Sequence, residues 1–144
     1  MRKILLVLTF IFTIFFIWGT NTAKAEYPRY LNGNHNYECV YGKRGDFYYI
    51  ERDSIQPILY NPPYYQIQGR IVVVKDAHKG GTDIIRQFYC RIMFDMYKNR
   101  MVLINPETRA PVLSVTPRSA DSWAGFIPYA GNYMFNVCYG RKFW

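Results

Sequence analysis

The segment from Tyr64 to Lys75 constrains the fold more than any other part of this chain. Polar and apolar side chains alternate along it, with Gln66, Gln68 and Arg70 lying between Tyr65, Ile67, Gly69 and Ile71. A period of two residues is typical of a β-strand that has one buried face and one solvated face. The chain is therefore expected to build a sheet, one face of which meets water.

Several other segments also have strand character, and turn residues separate them. The predicted strands are Tyr37–Tyr41, Phe47–Ile50, Ile84–Phe94, Arg100–Ile104 and Val112–Val115. Tyr37, Cys39 and Tyr41 are predicted to share one face of their strand. Gly42–Asp46 contains two glycines that tolerate positive φ and is predicted to be a hairpin turn, and Arg52–Ile55 is predicted to be a tight or helical turn. The sequence thus predicts an antiparallel sheet of five or six strands.

The C-terminal segment changes from a strand period to a helix period. One apolar helix face, with the spacing i, i+3, i+4 and i+7, is formed by Ala130, Tyr133, Met134 and Val137. Pro128 suits the first helical turn and Gly140 suits the helix end. A sheet followed by one helix that packs on a face is a two-layer α+β domain, and this is the predicted fold class.

The N-terminus has the pattern of a secretory signal peptide. Arg2 and Lys3 precede an apolar run from Ile4 to Trp18, as in the basic and hydrophobic regions of such leaders. The apolar run is shorter than the roughly 20 residues that cross a bilayer as a helix. A cleaved leader is therefore favoured over a retained membrane anchor.

The small residues Ala23 and Ala25 supply the cleavage site of this predicted leader. Cleavage is predicted after Ala25, so that Glu26 becomes the new N-terminus and residues 26–144 form one domain of ordinary size. We expect the protein to be secreted, periplasmic or displayed on the cell surface, with no membrane span once the leader is removed.

The predicted mature domain has a moderate excess of positive charge. Arg2, Lys3 and Lys24 precede the predicted cut, which leaves 15 basic and 10 acidic residues after it. Such an excess can favour anionic partners. Because the basic residues are scattered along the chain, the sequence predicts no specific nucleic-acid interface.

Three cysteines, Cys39, Cys90 and Cys138, remain in the predicted mature domain. An exported protein can form disulfides, but an odd number leaves at least one thiol unpaired within a monomer. A bond between Cys90 and Cys138 would join a strand to the helix and is the preferred prediction, whereas Cys39 with Cys90 would join two strands. Three reduced and buried thiols are the other alternative, because Cys is also a small apolar residue.

The sequence has no recognisable catalytic, metal or cofactor motif. Glu51 and Asp53 flank a predicted turn and are expected to bond backbone N–H groups. His35 precedes Cys39 by four residues, a separation of about 13 Å in a strand, which argues against a Cys–His pair. Neither His35 nor His78 lies at metal-ligand spacing from a cysteine. The sequence predicts no cofactor and favours a non-catalytic protein over a small secreted enzyme.

The tripeptide Arg44-Gly45-Asp46 at the predicted hairpin has two interpretations. It is similar to the integrin-binding sequence of matrix proteins, and a hairpin tip would expose it. Gly45 and Asp46 are also residues that a tight turn prefers on structural grounds, and this second interpretation is the simpler one. We keep the tripeptide as a speculative binding loop.

Two short segments resemble the surface-adhesin protein E family of small exported bacterial proteins. Phe47–Ile55 has the aromatic pair, the Ile or Val, the acid and the Ser-Ile step of that family. Gln87–Arg91 is similar to an aromatic-acid-Cys segment in a later strand. Glu51 stands where the family usually has Asp, and Tyr89 stands where it usually has an acid.

Two further segments, Pro62–Tyr65 and Tyr139–Trp144, resemble uncharacterised small secreted proteins of bacteria with a two-membrane envelope. The protein E resemblance implies an antiparallel sheet with a packed helix and adhesion to host matrix proteins. We therefore expect a non-catalytic envelope or surface protein with adhesin-like binding, or alternatively a periplasmic accessory protein. The expected partner is a host matrix protein, a cell-wall polymer or another envelope protein.

Overall fold

The structure, a computed structural model, describes residues 28–120 and 124–144. The predicted leader and its cleavage site at Ala23, Ala25 and Glu26 lie outside the described residues. Their assignment therefore stays a prediction from the sequence.

Within the described residues, six strands form one antiparallel sheet whose spatial order follows the chain order. The strands are β1 (Tyr37–Lys43), β2 (Asp46–Asn61), β3 (Tyr64–Lys75), β4 (Ile84–Asp95), β5 (Arg100–Ile104) and β6 (Pro111–Val115). A short helix α1 (Pro117–Ala120) and a longer helix α2 (Ile127–Tyr139) follow the sheet. The predicted α+β class, with a six-stranded antiparallel sheet and a C-terminal helix, is confirmed. No helix in the described ranges is long and apolar enough to cross a membrane.

The main core lies between α2 and one face of the sheet. Ala130, Met134 and Phe135 of α2 are buried with Ile67 of β3 and Ile92 of β4. As predicted, a proline lies in the first turn of α2, and a glycine with a φ of 69° follows its last residue. We call the side of the sheet that α2 covers the helix face, and the opposite side the open face.

A smaller core covers one end of the open face. Two 3-10 turns, Leu31–Gly33 and Ala77–Lys79, each place one buried residue on this end of the sheet. The members of this second cluster are Leu31, Phe47, Tyr49, Val72, Val74 and Ala77. The rest of the open face is not covered by this cluster, and the polar residues of β3 lie there.

The predicted common face of Tyr37, Cys39 and Tyr41 is wrong for Tyr41. The β1–β2 register shifts between Cys39 and Tyr41, so the extra residue Val40 reverses the alternation. Cys39 packs against the second cluster on the open face, whereas the ring of Tyr41 contacts Tyr129 of α2 with centroids 5.5 Å apart.

The predicted turn at Arg52–Ile55 is also wrong, because β2 continues through this segment to Asn61. The β2–β3 register shifts between Glu51 and Gln56. Ser54 bridges the irregularity: its Oγ donates to the Glu51 carbonyl at 2.6 Å and accepts from the Arg70 N–H at 2.7 Å. A serine side chain thus replaces a ladder bond, and the strand bulges without ending.

Candidate partner-binding surface

The three cysteines are free thiols, and neither predicted disulfide is formed. Cys39 packs on the open face and Cys90 in the core of the helix face, so the sheet separates them. Cys90 pairs with Gly69, and the space above Gly69 is filled by Met134 of α2. Cys138 lies one helical turn beyond Met134. The structure therefore agrees with the alternative in which all three thiols are reduced.

All three thiols are poorly suited to nucleophilic chemistry. Burial raises the pKa of the Cys90 thiol to about 12, and burial also raises the pKa of Cys39 and of Cys138. The thiolate is the form that attacks substrates and binds metals. At neutral pH these thiols are therefore protonated.

Each of the two histidines lies beside an aromatic ring. His35 is exposed and stacks on Tyr30 with ring centroids 4.1 Å apart. His78 lies against Phe47 and borders a shallow cavity of about 300 Å³. In the part of the chain that the structure describes, no group of three or more His, Cys, Asp or Glu side chains could hold a metal ion.

The Arg44-Gly45-Asp46 tripeptide lies at the β1–β2 hairpin, as predicted. Arg44 and Gly45 form the turn with φ values of 53° and 87°. Asp46 already belongs to β2, where it pairs with Lys43 of β1 and Lys75 of β3. Arg44 is exposed at the tip, but the neighbours of Asp46 are cationic. Integrin binding stays a prediction.

A hydrogen-bond network crosses three strands of the open face. Glu51 accepts two bonds from the Arg70 guanidinium, each 2.6 Å long, and one from the Tyr37 hydroxyl at 2.8 Å. The bonds from Arg70 hold the pKa of Glu51 below its usual range, although burial acts in the opposite direction. Glu51 therefore bonds side chains of other strands rather than the local backbone N–H groups that its sequence position suggested.

Beside this network, the open face has a groove of about 550 Å³, which we call the open-face groove. Its apolar walls come from four parts of the fold, and the residues are Ile58, Leu59, Met93, Ile104 and Pro111. Ile58 and Leu59 are both exposed, although they are large aliphatic side chains. Exposed apolar surface of this kind marks interaction sites on soluble proteins.

Two arginines bring positive charge into the open-face groove. Arg91 donates from Nε and Nη2 to Oε1 of Gln68, at 3.1 and 2.7 Å, and this acceptor is neutral. Arg109 also lines the groove and is exposed. The ion pairs among the described residues involve neither Arg91 nor Arg109. The groove thus combines apolar walls with two uncompensated cations.

An aromatic rim continues the groove toward the end of the sheet. The rings of Tyr64 and Tyr97 contact each other with centroids 6.4 Å apart, and Tyr97 is 79% exposed. The Met96 N–H donates to the Pro63 carbonyl at 3.1 Å, which ties the β2–β3 turn to the β4–β5 turn. Tyrosine, methionine and arginine are the residues enriched at protein interfaces.

Sequence reasoning predicted part of this surface and missed another part. The alternation of Gln66, Gln68 and Arg70 predicted the solvated face of β3, and the structure confirms it. Local sequence patterns do not single out Arg91 and Arg109, because the presence of both in one groove depends on the β4–β5 register and on the β5–β6 turn. The available signal was that Arg91 is charged within an otherwise largely apolar strand.

Comparison with protein-family models, with curated proteins and with solved structures finds no match for this chain.

Proposed function

We propose that this chain is a non-catalytic exported protein of the bacterial envelope or surface, which binds an acidic and apolar segment of a protein partner in the open-face groove. The observation that carries the proposal is the pair Arg91 and Arg109, which lack an acidic partner among the described residues and border exposed aliphatic walls.

The chemistry of the groove favours such a segment. A carboxylate of the partner would compensate Arg91 and Arg109, and charge-assisted bonds to a guanidinium are stronger than neutral ones. An apolar side chain beside it would remove Ile58 and Leu59 from water. The rim tyrosines would add rigid contact area at low entropic cost. Protein segments supply both kinds of side chain together.

Among the described residues, the state of the thiols and the positions of the histidines favour a binding role over a catalytic one. The thiols of Cys39, Cys90 and Cys138 are held protonated by burial. Among the described residues, His35 and His78 belong to no cluster of metal-ligating side chains. A small secreted enzyme remains the less favoured alternative.

Two settings suit an exported binding module. In the first, the protein is adhesin-like and its partner is a host matrix protein; in the second, it is a periplasmic accessory protein and its partner is another envelope protein. Both rest on the predicted leader that ends at Ala25. A mixed apolar and cationic groove favours a protein over a cell-wall polymer, which therefore serves as a competitor in the test.

The test uses the mature protein and two labelled peptides in fluorescence anisotropy. One peptide alternates Glu with Leu and Phe, and the other has Lys in place of each Glu. We expect the acidic peptide to bind and the basic peptide not to bind. Arg91→Gln and Arg109→Gln should each weaken binding about tenfold, the loss typical of one charge-assisted hydrogen bond.

Arg141→Gln is the matched control, because Arg141 is exposed beyond the end of α2. Equal binding of the two peptides, or no effect of Arg91→Gln and Arg109→Gln, would contradict the proposal. Soluble cell-wall polymer that displaces the acidic peptide would assign the groove to a polymer. Direct binding to purified matrix proteins, compared with envelope proteins, separates the two settings.

A further inference from the structure

One half of β4 has a strand neighbour on one side only. The strand runs from Ile84 to Asp95, but β5 pairs only with the part from Arg91 to Asp95. Among the described residues, Ile84–Cys90 pairs with β3 alone. We call Ile84–Cys90 the free β4 edge. Alternate N–H and C=O groups on such an edge can accept another strand.

The other strand edges are blunted by features that discourage strand addition. The part of β2 that β1 does not cover contains Pro57 and two register shifts. On β1, the Cys39 N–H is already bonded to the Arg29 carbonyl at 2.8 Å. β6 begins at Pro111 and has a register shift in its short length. Proline, bulges and covering segments are the usual means of protecting an edge.

The free β4 edge has few of these protections. The register of its pairing with β3 shifts only near Ile85 and is regular from Arg86 to Cys90. The side chains beside it are large and solvent-accessible: Ile84 is 55% exposed, Ile85 51% and Tyr89 50%. A regular edge flanked by exposed apolar and aromatic side chains suits an added β-strand, in which the backbone bonds and alternate side chains are recognised together.

Two arginines lie close to the ends of the regular part of this edge: Arg86 is its first residue, and Arg91 directly follows Cys90. Arg86 donates to the Tyr48 hydroxyl at 3.3 Å and lies over the Phe88 ring at 5.4 Å from its centroid. Arg91 is bonded to Gln68. In the ranges that the structure describes, neither arginine has an acidic partner. Two cations about five residues apart suit an extended segment that is acidic at both ends.

The same charges argue against a second copy of this chain as the occupant. The segment Ile84–Arg91 contains these two arginines and no acidic residue. A second β4 edge would therefore add positive charge beside the first edge and supply no carboxylate to compensate Arg86 or Arg91. The charge pattern therefore favours a different chain over self-association.

We propose that the partner segment binds as an added strand along the free β4 edge. This segment is extended, apolar at its centre and acidic at both ends. The inference rests on the proposed function, because Arg91 lines the open-face groove and directly follows the free β4 edge. Ile104, the last residue of β5, pairs with Arg91, so the added strand would continue the line of β5. It would enter the open-face groove at Arg91.

Backbone methylation of the peptide tests this binding mode. Two isomers of an acidic-ended, apolar peptide carry N-methyl groups on alternate residues, one on the odd set and one on the even set. An added strand bonds β4 through one set only, so we expect the two affinities to differ by at least tenfold, roughly the loss of two backbone bonds. On binding of the unmethylated peptide, hydrogen exchange should slow at amides within Ile84–Cys90.

A second variant separates this inference from the proposed function. Arg86 is not part of the open-face groove, so Arg86→Gln should weaken binding about tenfold only if the peptide follows the edge. Arg118→Gln, at an exposed position in α1, is the control. If the two isomers bind equally well while Arg91→Gln still weakens binding, strand addition would be overturned. The open-face groove would then remain the binding site. A concentration-dependent dimer that protects the same amides would assign the edge to a second copy.

Discussion

Glu51 illustrates how one side chain on the open face is held by residues far apart in the chain. Its carboxylate receives the Arg70 guanidinium from β3 and the Tyr37 hydroxyl from β1. The resemblance to the protein E family placed an acid at this position, but a family motif does not state what the acid contacts. In the structure, Glu51 joins three strands at the point where β1 begins.

We predict that Glu51→Gln destabilises the protein in a pH-dependent way. The folded-state pKa of Glu51 is lowered relative to about 4.3 in an unfolded chain. Its carboxylate therefore stabilises the fold at higher pH, and this contribution is lost as the pH falls through the folded-state pKa. Urea denaturation should show a lower free energy of unfolding for the variant at neutral pH, and the difference should shrink below about pH 4.

Glu107→Gln is the control for this prediction, since Glu107 is exposed in the β5–β6 turn and, among the described residues, belongs to no ion pair. It should change the free energy of unfolding little at either pH. The difference in free energy of unfolding between Glu51→Gln and its parent could instead stay constant from pH 7 to pH 3. That result would show that the charge of Glu51 is not responsible for the destabilisation.

The packing of α2 depends on small residues where the helix meets the sheet. Gly131 and Ala130 are both buried in α2. A Cβ at Gly131 would overlap Sδ of Met101 and approach Cδ1 of Ile92 at 3.4 Å. Glycine is a poor helix former, but here its missing side chain lets the helix lie close to β4 and β5.

Overpacking of the filled core by Gly131→Ala is therefore expected to cost about 1–3 kcal/mol. Alanine offsets about 1 kcal/mol of this cost in a helix interior, so we expect a net destabilisation of up to about 2 kcal/mol. Urea denaturation measures the change. Asn136→Ala, at an exposed position of the same helix, should be neutral or slightly stabilising. A stabilised Gly131 variant would mean that Met101 yields at little cost.

The two faces of the whole sheet have different roles. α2 and the main core occupy the helix face, whereas the open face holds the groove, its two arginines and the aromatic rim. The proposed binding surface would be of use only where a partner is present, and the predicted leader would place the protein outside the cytoplasm. The proposed function therefore depends on export as well as on the groove.

Mass spectrometry of the protein purified from expressing cells tests export. We expect the N-terminal residue to be Glu26. Ala25→Phe should block cleavage and leave the leader attached, because signal peptidase requires small residues near the cut. Lys24→Gln, which keeps both alanines, should be processed normally. A cytoplasmic protein that retains Met1 would refute the envelope role.

Local sequence patterns were sufficient for most elements of this fold, but not for the second half of β2. The two-residue period of Tyr64–Lys75 and the helical spacing around Met134 each report the surroundings of residues close in the chain, so the strands and α2 could be predicted. The bulge at Val40 could not be predicted in this way. One extra residue reverses the face of every later side chain in the strand, and the local alternation does not show such an insertion. Likewise, the presence of Arg91 and Arg109 in one groove and the existence of the free β4 edge depend on where β5 begins to pair. That register is set by contacts between distant segments, which the local sequence does not report. The antiparallel α+β class therefore followed from local patterns, whereas the open-face groove and the free β4 edge were decided by tertiary pairing.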